Sequence, residues 1–569
     1  MSARGDRSLD GLAALAGLAA GAVSVGVGSL VALLTGAPSD PLNALGSAFV
    51  DATPPWLKEF ATTTFGTDDK LVLRLGEVLV LALLAAAAGV LARRWWGWGA
   101  TLVVLLAAFG GIAAMTRPDT GALAALPSVA AGVAGLVTLR LLIDRLPTAP
   151  AGSAVVRGSA VAGAGASGLA DGGSRAAGGS TVAGGSAVAG SSGVAGGSTV
   201  AGGSGDGTRR SPARGPDRRV FLQATAAAAS LGIVAAFVGR AVGAPARAAR
   251  AARAALHLPA PAVPAPAVPA GVEVATPGME PWKTPAGDFY RIDTALVVPE
   301  VDPASWSLRV HGLVDREVTL TWDELLASEL VEAWVTLCCV SNPVGGDLIG
   351  NQRWLGLPVR ELLARAGPHA DADMVLSRSV DGFTASTPLE ALTDDRDALL
   401  AIGMDGQPLP VEHGFPVRMV VPGLYGYVSA TKWVVDLEVT RFADATAYWT
   451  DRGWSPRGPI KTQSRISVPR ASDPLHAGEV VVAGTAWAQH RGVTRVQVRV
   501  DSGPWQDATL AADGGIDTWR QWSWRWSAEA GDHTLRVRAF DPDGPQSGAD
   551  VDVVPDGAEG YDEIEVSVD

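Results

Sequence analysis

Four apolar stretches, each close to the length of a membrane crossing, fill the first 145 residues and constrain everything that follows. They are 11–35 (GLAALAGLAAGAVSVGVGSLVALLT), 71–92 (LVLRLGEVLVLALLAAAAGVLA), 98–115 (WGATLVVLLAAFGGIAAM) and 121–143 (GALAALPSVAAGVAGLVTLRLLI). A helix needs roughly 20 apolar residues to cross about 30 Å of hydrocarbon. Arg74 and Glu77 lie near one end of the second run, where long side chains can snorkel to the interface. One such run could be a buried soluble helix; four in succession with short connectors predict a transmembrane bundle over residues 1–147. Arg4, Arg7, Arg93, Arg94, Arg140 and Arg145 all fall on one side of it, which makes that side cytoplasmic. None of the seven histidines lies in these runs, His257 being the first, so the bundle has no bis-histidine haem site. It reads as an anchor or a docking unit.

Residues 148–216 are drifting copies of TVAGGS and AVAGSS. They lack the bulky apolar positions that a stacked repeat needs and read as a cytoplasmic linker, spanning about 40–50 Å as a random coil. At 217–243 comes DRRVFLQATAAAASLGIVAAFVG with its flanks, in which Arg218 and Arg219 precede Val220, Phe221, Leu222 and an Ala-rich run. This resembles a twin-arginine export signal. After four crossings the signal lies in the cytoplasm, where its translocase reads it, and a fifth helix carries the remaining chain outside. The route implies a domain that folds around its cofactor before export. Residues 244–271 read as a Pro/Ala spacer.

A net charge of -13, with most acidic residues after position 270, argues against a nucleic-acid partner. The two cysteines exclude a disulfide scaffold and, with no CxxC pair, structural zinc and c-type haem. They are adjacent, Cys338 and Cys339, in VTLCCVSNPVGG (335–346). Taken alone the pair fits a vicinal disulfide, two core thiols, or one thiolate offered to a metal.

Four segments surround that pair: FYRIDTALVVPEVDPASWSLRVHGLV (289–314), WVTLCCVSNPVGG with RWLGLPVRELL (334–363), LPVEHGFPVRMVVPGLYGYVSATKWVVDLEV (409–439) and AYWTDRGWSPRGPIKTQSRI (447–466). In this order they resemble the sulfite oxidase superfamily of molybdenum enzymes, over roughly 275–555. The resemblance implies a molybdopterin-binding catalytic domain at 272–468. It implies Cys339 as the protein ligand of molybdenum, in a TLxCxxN context that includes Asn342, with Cys338 as packing. A soft thiolate suits a metal already held by dithiolene sulfur. It further implies that His413, Arg418 and Lys432 hold the molybdopterin phosphate, and that Gly423 and Gly426 allow close backbone approach to it. Arg291 and Trp354 are implied for the substrate pocket. Three positions depart from the family pattern: Val344 replaces a second arginine, Trp454 a tyrosine, and Asp293 a histidine that contacts the cofactor. A small dianion such as sulfite is therefore expected to bind poorly.

Beyond 469, VVVAGTAWA, TRVQVRVDSGPW, WSWRWSA and HTLRVRAFD alternate with turns, the spacing of an immunoglobulin-like sandwich. It resembles the family's dimerisation domain, and implies a homodimer. The expected fold is thus multi-domain: a transmembrane helical bundle, an α+β sulfite-oxidase-like domain, then a β-sandwich. The expected function is oxygen-atom transfer at an extracytoplasmic molybdenum–molybdopterin centre, without haem. Electrons would pass to a separate carrier or a quinone-linked membrane partner. A sulfoxide reductase is the nearest alternative, and a non-catalytic receptor or scaffold on the same fold is an alternative of another class.

Overall fold

Helices long and apolar enough to cross a membrane occur five times among the described residues, at Ser8–Thr35, Lys70–Arg94, Trp96–Met115, Leu123–Ile143 and Arg218–Val238. The computed structural model describes residues 2–35, 39–53, 69–116, 122–147, 218–241, 244–295 and 297–569. The linker expected at 148–216 lies outside the described residues. A shorter helix, Pro41–Ala52, follows the first long one. The Asp40 carboxylate caps it by accepting from the amides of Leu42 and Asn43, and Pro41 occupies its first turn. The apolar runs alone did not single it out.

The helix Ser2–Thr35 packs against Asp69–Arg94, Leu126–Ile143 and Arg218–Ala241. Glycine permits these crossings. A Cβ at Gly17 would lie 2.0 Å from the Ala85 carbonyl oxygen, and one at Gly232 would lie 2.4 Å from the Ala22 carbonyl carbon. Small residues that let backbones meet are how helices associate in lipid. The contacts also fix direction. Asp10 near the start of the first helix accepts from Arg93 and Arg94 at the end of the second, at 2.6 and 2.7 Å. Phe221 packs on Leu12 and Ala16, while Gly232 meets Ala22, so the fifth helix runs parallel to the first.

Residues 244–271 form a strap rather than a free spacer. The helix Ala244–Ala255 ends with the Arg253 guanidinium donating to the carbonyls of Leu409 (2.7 Å) and Pro408 (3.1 Å). Val263 then bridges in parallel to Val331, the Trp334 indole donates to the Pro266 carbonyl (3.2 Å), and the Ala512 amide to Gly271 (2.9 Å). These contacts join backbone groups to one another and to the polar tips of Arg253 and Trp334, which leaves no hydrophobic period in the sequence.

Two five-stranded sheets build the domain that follows. One has the order β2 (Val318–Thr321), β1 (Ser307–Gly312), β10 (Val434–Thr440), β5 (Met374–Ser379), β6 (Thr384–Pro388). Only the β1–β10 pair is parallel, with Arg309 opposite Asp436. The other has the order β3 (Val331–Cys338), β4 (Ile349–Pro358), β7 (Leu399–Met404), β8 (Gln407–Pro408), and β9 (Arg418–Val420) also pairs with β7. The β3 strand is apolar almost throughout because both of its faces are covered.

The C-terminal region is two antiparallel sheets. The first is β11 (Gln463–Val468), β12 (Gly478–Trp487), β16 (Arg520–Ala528) and β15 (Thr509–Leu510). The second is β14 (Gln506–Asp507), β13 (Arg495–Val500), β17 (Gly531–Asp541) and β18 (Gly544–Pro545), with β19 (Glu563–Val568) on β17. Val482 and Trp522 from one sheet, with Val496, Leu535 and Val537 from the other, share one core.

The crossings make a stability prediction. Gly232→Leu overpacks a backbone contact and is expected to cost about 1–3 kcal/mol or more, read as a lower unfolding midpoint in detergent. Gly76→Leu, with nothing within 4 Å of its new Cβ, is expected to leave the midpoint unchanged.

Candidate cofactor and active site

Cys339 lies one residue beyond β3, where the chain turns back toward β4. Its amide donates to the Leu348 carbonyl (2.9 Å), and the Asn342 amide donates to the Cys339 carbonyl (3.1 Å). The Asn342 side-chain oxygen accepts from the Leu348 amide at 2.8 Å. Asn342, expected at the cofactor, closes the loop that presents the thiol. The C-terminal sheets brace the same loop: Arg465 donates to the Gly346 carbonyl at 2.8 Å, and Val344 faces Gly560. Position 344 thus looks toward the C-terminal region.

Cys338 and Cys339 are both free thiols, so the vicinal disulfide is not formed. Cys338 belongs to the main hydrophobic core, whereas Cys339 does not. Burial pushes the Cys339 thiol up, opposed by hydrogen bonds from Ser341 and by the Lys432 charge. Tyr290, which the sequence reading passed over, is near both thiols. Burial and those two neighbours raise its phenol well above the ordinary range.

The expected cations come together beside this loop. Arg418, at the start of β9, is buried, and its guanidinium donates to the carbonyls of His413 (3.2 Å) and Met419 (3.3 Å). Among the described residues no carboxylate pairs with it. Burial lowers it to about 10. Below Arg418, at 5.1 Å, is the ring of Trp354. Trp354 is completely buried, donates to the Val335 carbonyl and meets Phe289 edge-on. It forms a platform for Arg418.

Lys432 is buried and donates to Asp293 (2.8 Å) and to the Glu412 carbonyl (3.0 Å). Burial lowers its ammonium to about 8 against the pull of Asp293. His413 is buried with Nδ1 lacking a hydrogen-bond partner among the described residues. Burial, then the charges of Arg418 and Lys432, push it down to about 3, so it is neutral at ordinary pH. Asp293 also accepts from Arg291 at 2.9 Å and pairs with Lys70. Although burial opposes it, the charges of Lys432, Lys70 and Arg291 hold its carboxyl far below the usual range.

Two expected residues lie elsewhere. Gly423 adopts φ +81°, and a Cβ there would lie 2.9 Å from His490 and 3.4 Å from Arg396, so its close approach is to the C-terminal region. Gly426 is the glycine near the site, its Cβ position 3.8 Å from the Cys338 carbonyl oxygen and 3.9 Å from the Tyr290 hydroxyl. Trp454 packs behind the site, 5.8 Å from Tyr427 and 6.1 Å from Trp449. A cavity of about 80 Å³ is lined by Asp293, Thr294, Asp381, Phe383, Gly426, Tyr427, Lys432, Trp433 and Trp449. Several of these aromatic walls sit on short helices and loops, where the sequence offered no period to mark them.

Residues 295–449 match the family described as oxidoreductase molybdopterin binding domain. The uncharacterized oxidoreductase YuiH of Bacillus subtilis (strain 168) is 32% identical over 157 residues, covering 28% of this chain and 76% of that protein. The chain belongs to the molybdopterin-binding oxidoreductase family. Mitochondrial sulfite oxidase of Homo sapiens is 33% identical over 281 residues, which is 41% of this chain and 51% of that protein. The chain thus spans about half the length of such relatives. The solved sulfane dehydrogenase SoxCD from Paracoccus pantotrophus aligns at TM-score 0.45 and 22% identity, covering 51% of this chain and 84% of that one.

The family's cofactor is molybdenum held by molybdopterin, and the donor set fits it. Cys339, a thiol outside the hydrophobic core, has the soft donor such a metal would take. Arg418 without a counter-charge is a buried group that a phosphate would satisfy, and His413, whose carbonyl accepts from Arg418, keeps a buried Nδ1 without a partner next to it.

Two outcomes follow. Arg418→Gln is expected to lower the pterin content of purified protein at least tenfold, because it removes a buried cation. Lys432 should give opposite pH trends with and without cofactor. Its folded value lies below the ordinary 10.5, so the cofactor-free fold gains stability as pH rises from about 8 toward 10.5. The same deprotonation weakens the hold on phosphate, so the loaded protein loses its stability advantage over that range. Thermal unfolding of both forms from pH 7 to 10 checks the sign.

Proposed function

We propose that this chain is a membrane-anchored, extracytoplasmic molybdenum oxidoreductase acting on a small, neutral oxo compound, with a sulfoxide as the favoured class. The observation that carries the cofactor part is the buried, uncompensated positive charge beside an isolated thiol. Among the described residues Asp293 is the carboxylate that pairs with Lys432, Arg291 and Lys70, while Arg418 has none, so these four cations exceed it by three positive charges, enough for a phosphate of up to two negative charges. A scaffold that had lost its cofactor would have no reason to keep these cations buried.

When bound, molybdenum–molybdopterin supplies two-electron oxygen-atom transfer. Cys339 would ligate the metal, and Arg418, His413 and Lys432 would hold the phosphate. Trp354 fixes Arg418 from below, and Trp454 fixes Tyr427 and Trp449. Arg291, about one-third exposed, is the cation best placed to meet a substrate, but Asp293 already engages it. Asp293 and Asp381 both line the cavity, against Lys432 alone. That balance disfavours a sulfite dianion, and the aromatic walls of Tyr427, Trp433 and Trp449 suit a neutral molecule with an apolar substituent. Sulfite oxidation is the second reading, supported by Arg291.

The topology rests on the five apolar helices, the arginines clustered at one end of the bundle, and the Arg218–Arg219 pair opening the fifth helix. The domain would fold with its cofactor in the cytoplasm and then cross. The C-terminal sheets would serve as an immunoglobulin-like dimerisation unit. Electrons would come from a separate carrier or a quinone-linked membrane partner.

The test uses cofactor-loaded enzyme with artificial electron carriers. Methionine sulfoxide reduction is expected to exceed sulfite oxidation at least tenfold in kcat/KM, and Asp381→Asn is expected to narrow that ratio. A preference for sulfite would reverse the substrate assignment, and no turnover of either would favour the scaffold.

A further inference from the structure

Lys70 is in the first turn of the second long helix, Asp69–Arg94, yet its ammonium pairs with Asp293, a residue 223 positions later in the oxidoreductase domain. The Asp293 side chain is only 5% exposed and that of Lys70 26%, so this is no loose surface pair.

The helix directions make the contact consistent with the chain path. The second helix is antiparallel to the first, since Asp10 meets Arg93 and Arg94. The fifth runs parallel to the first, since Phe221 meets Leu12 and Gly232 meets Ala22. Lys70 therefore lies at the end of the bundle from which the fifth helix delivers the oxidoreductase domain.

We propose that the outer end of the second membrane helix docks on the oxidoreductase domain through the Lys70–Asp293 ion pair, which ties the bundle to a residue of the pocket wall. Asp293 is the hub. One carboxylate holds Lys432 and Arg291 inside the domain and Lys70 from the bundle. Because it also lines the cavity, docking fixes that pocket at the membrane surface. The pairing rests on the topology in the preceding section and extends it: a domain exported already folded presents Asp293 uncovered during transit, and Lys70 covers it afterwards. Lys70 is thus a positioning residue, acting on Lys432 and Arg291 through Asp293.

The test places a protease site at 242–243, between the fifth helix and the strap, in the full-length chain, and follows the oxidoreductase domain after cleavage in isolated membranes. Retention in the membrane pellet is expected for the parent protein and for Lys70→Arg. Lys70→Ala and Lys70→Glu are expected to release at least fivefold more domain into the supernatant. Lys70→Glu retained like the parent, or the parent released on cleavage, would overturn the proposal. The same assay on a Cys339→Ala chain separates the two readings, since that variant loses the proposed metal ligand and leaves the ion pair intact. Unchanged retention there supports the dock even if the oxidoreductase proposal fails, and release only in that variant would overturn docking by this pair.

Discussion

A buried positive charge without a counter-charge organises this protein. Arg418 lies inside the oxidoreductase domain with only backbone carbonyls as acceptors among the described residues, above a fully buried Trp354. Burying a charge costs far more than a hydrogen bond returns unless something of opposite sign completes it. Lys432 adds to the demand, and the one carboxylate at hand, Asp293, also serves Arg291 and Lys70. The surrounding architecture can be read as the means of holding this imbalance: β9 presents Arg418, the turn before β10 presents Lys432, and the loop between β3 and β4 sets a thiol beside them.

That arrangement also ties three regions together. The C-terminal sheets brace the thiol loop through Arg465 and Gly560. The strap at 244–271 closes the edge of β3 through Val263 and Val331. Lys70 brings the start of a long apolar helix to the same carboxylate. A perturbation in any of the three regions therefore has a short path to the cofactor site.

The apolar helices were legible in the sequence because length and hydropathy alone define them, and all five stand where the runs placed them. The motifs around Cys339, His413, Arg418 and Lys432 stand out in the sequence, and the fold brings these four residues to one region. What escaped was set by tertiary packing. Trp354 is a platform for Arg418, Trp454 a support for Tyr427, and Asn342 a clasp for the Cys339 loop, roles that depend on which face a neighbour occupies. Gly423 and Gly426 are three residues apart, and only the fold shows that the first turns toward His490 and the second toward the thiol loop. The 244–271 segment is held as a strap by backbone bonds and by the polar tips of Arg253 and Trp334, which leave no hydrophobic period to read. Asp293 looked like the loss of a cofactor contact, whereas it is the shared counter-ion of three cations.

The most direct test of the account is the molybdenum and pterin content of the purified full-length protein beside its Cys339→Ala and Cys338→Ala variants. Near-stoichiometric metal and pterin are expected in the parent and in Cys338→Ala, with loss or altered binding of the metal in Cys339→Ala. A folded parent protein free of both, purified from a molybdenum-replete host that makes the cofactor, would contradict it.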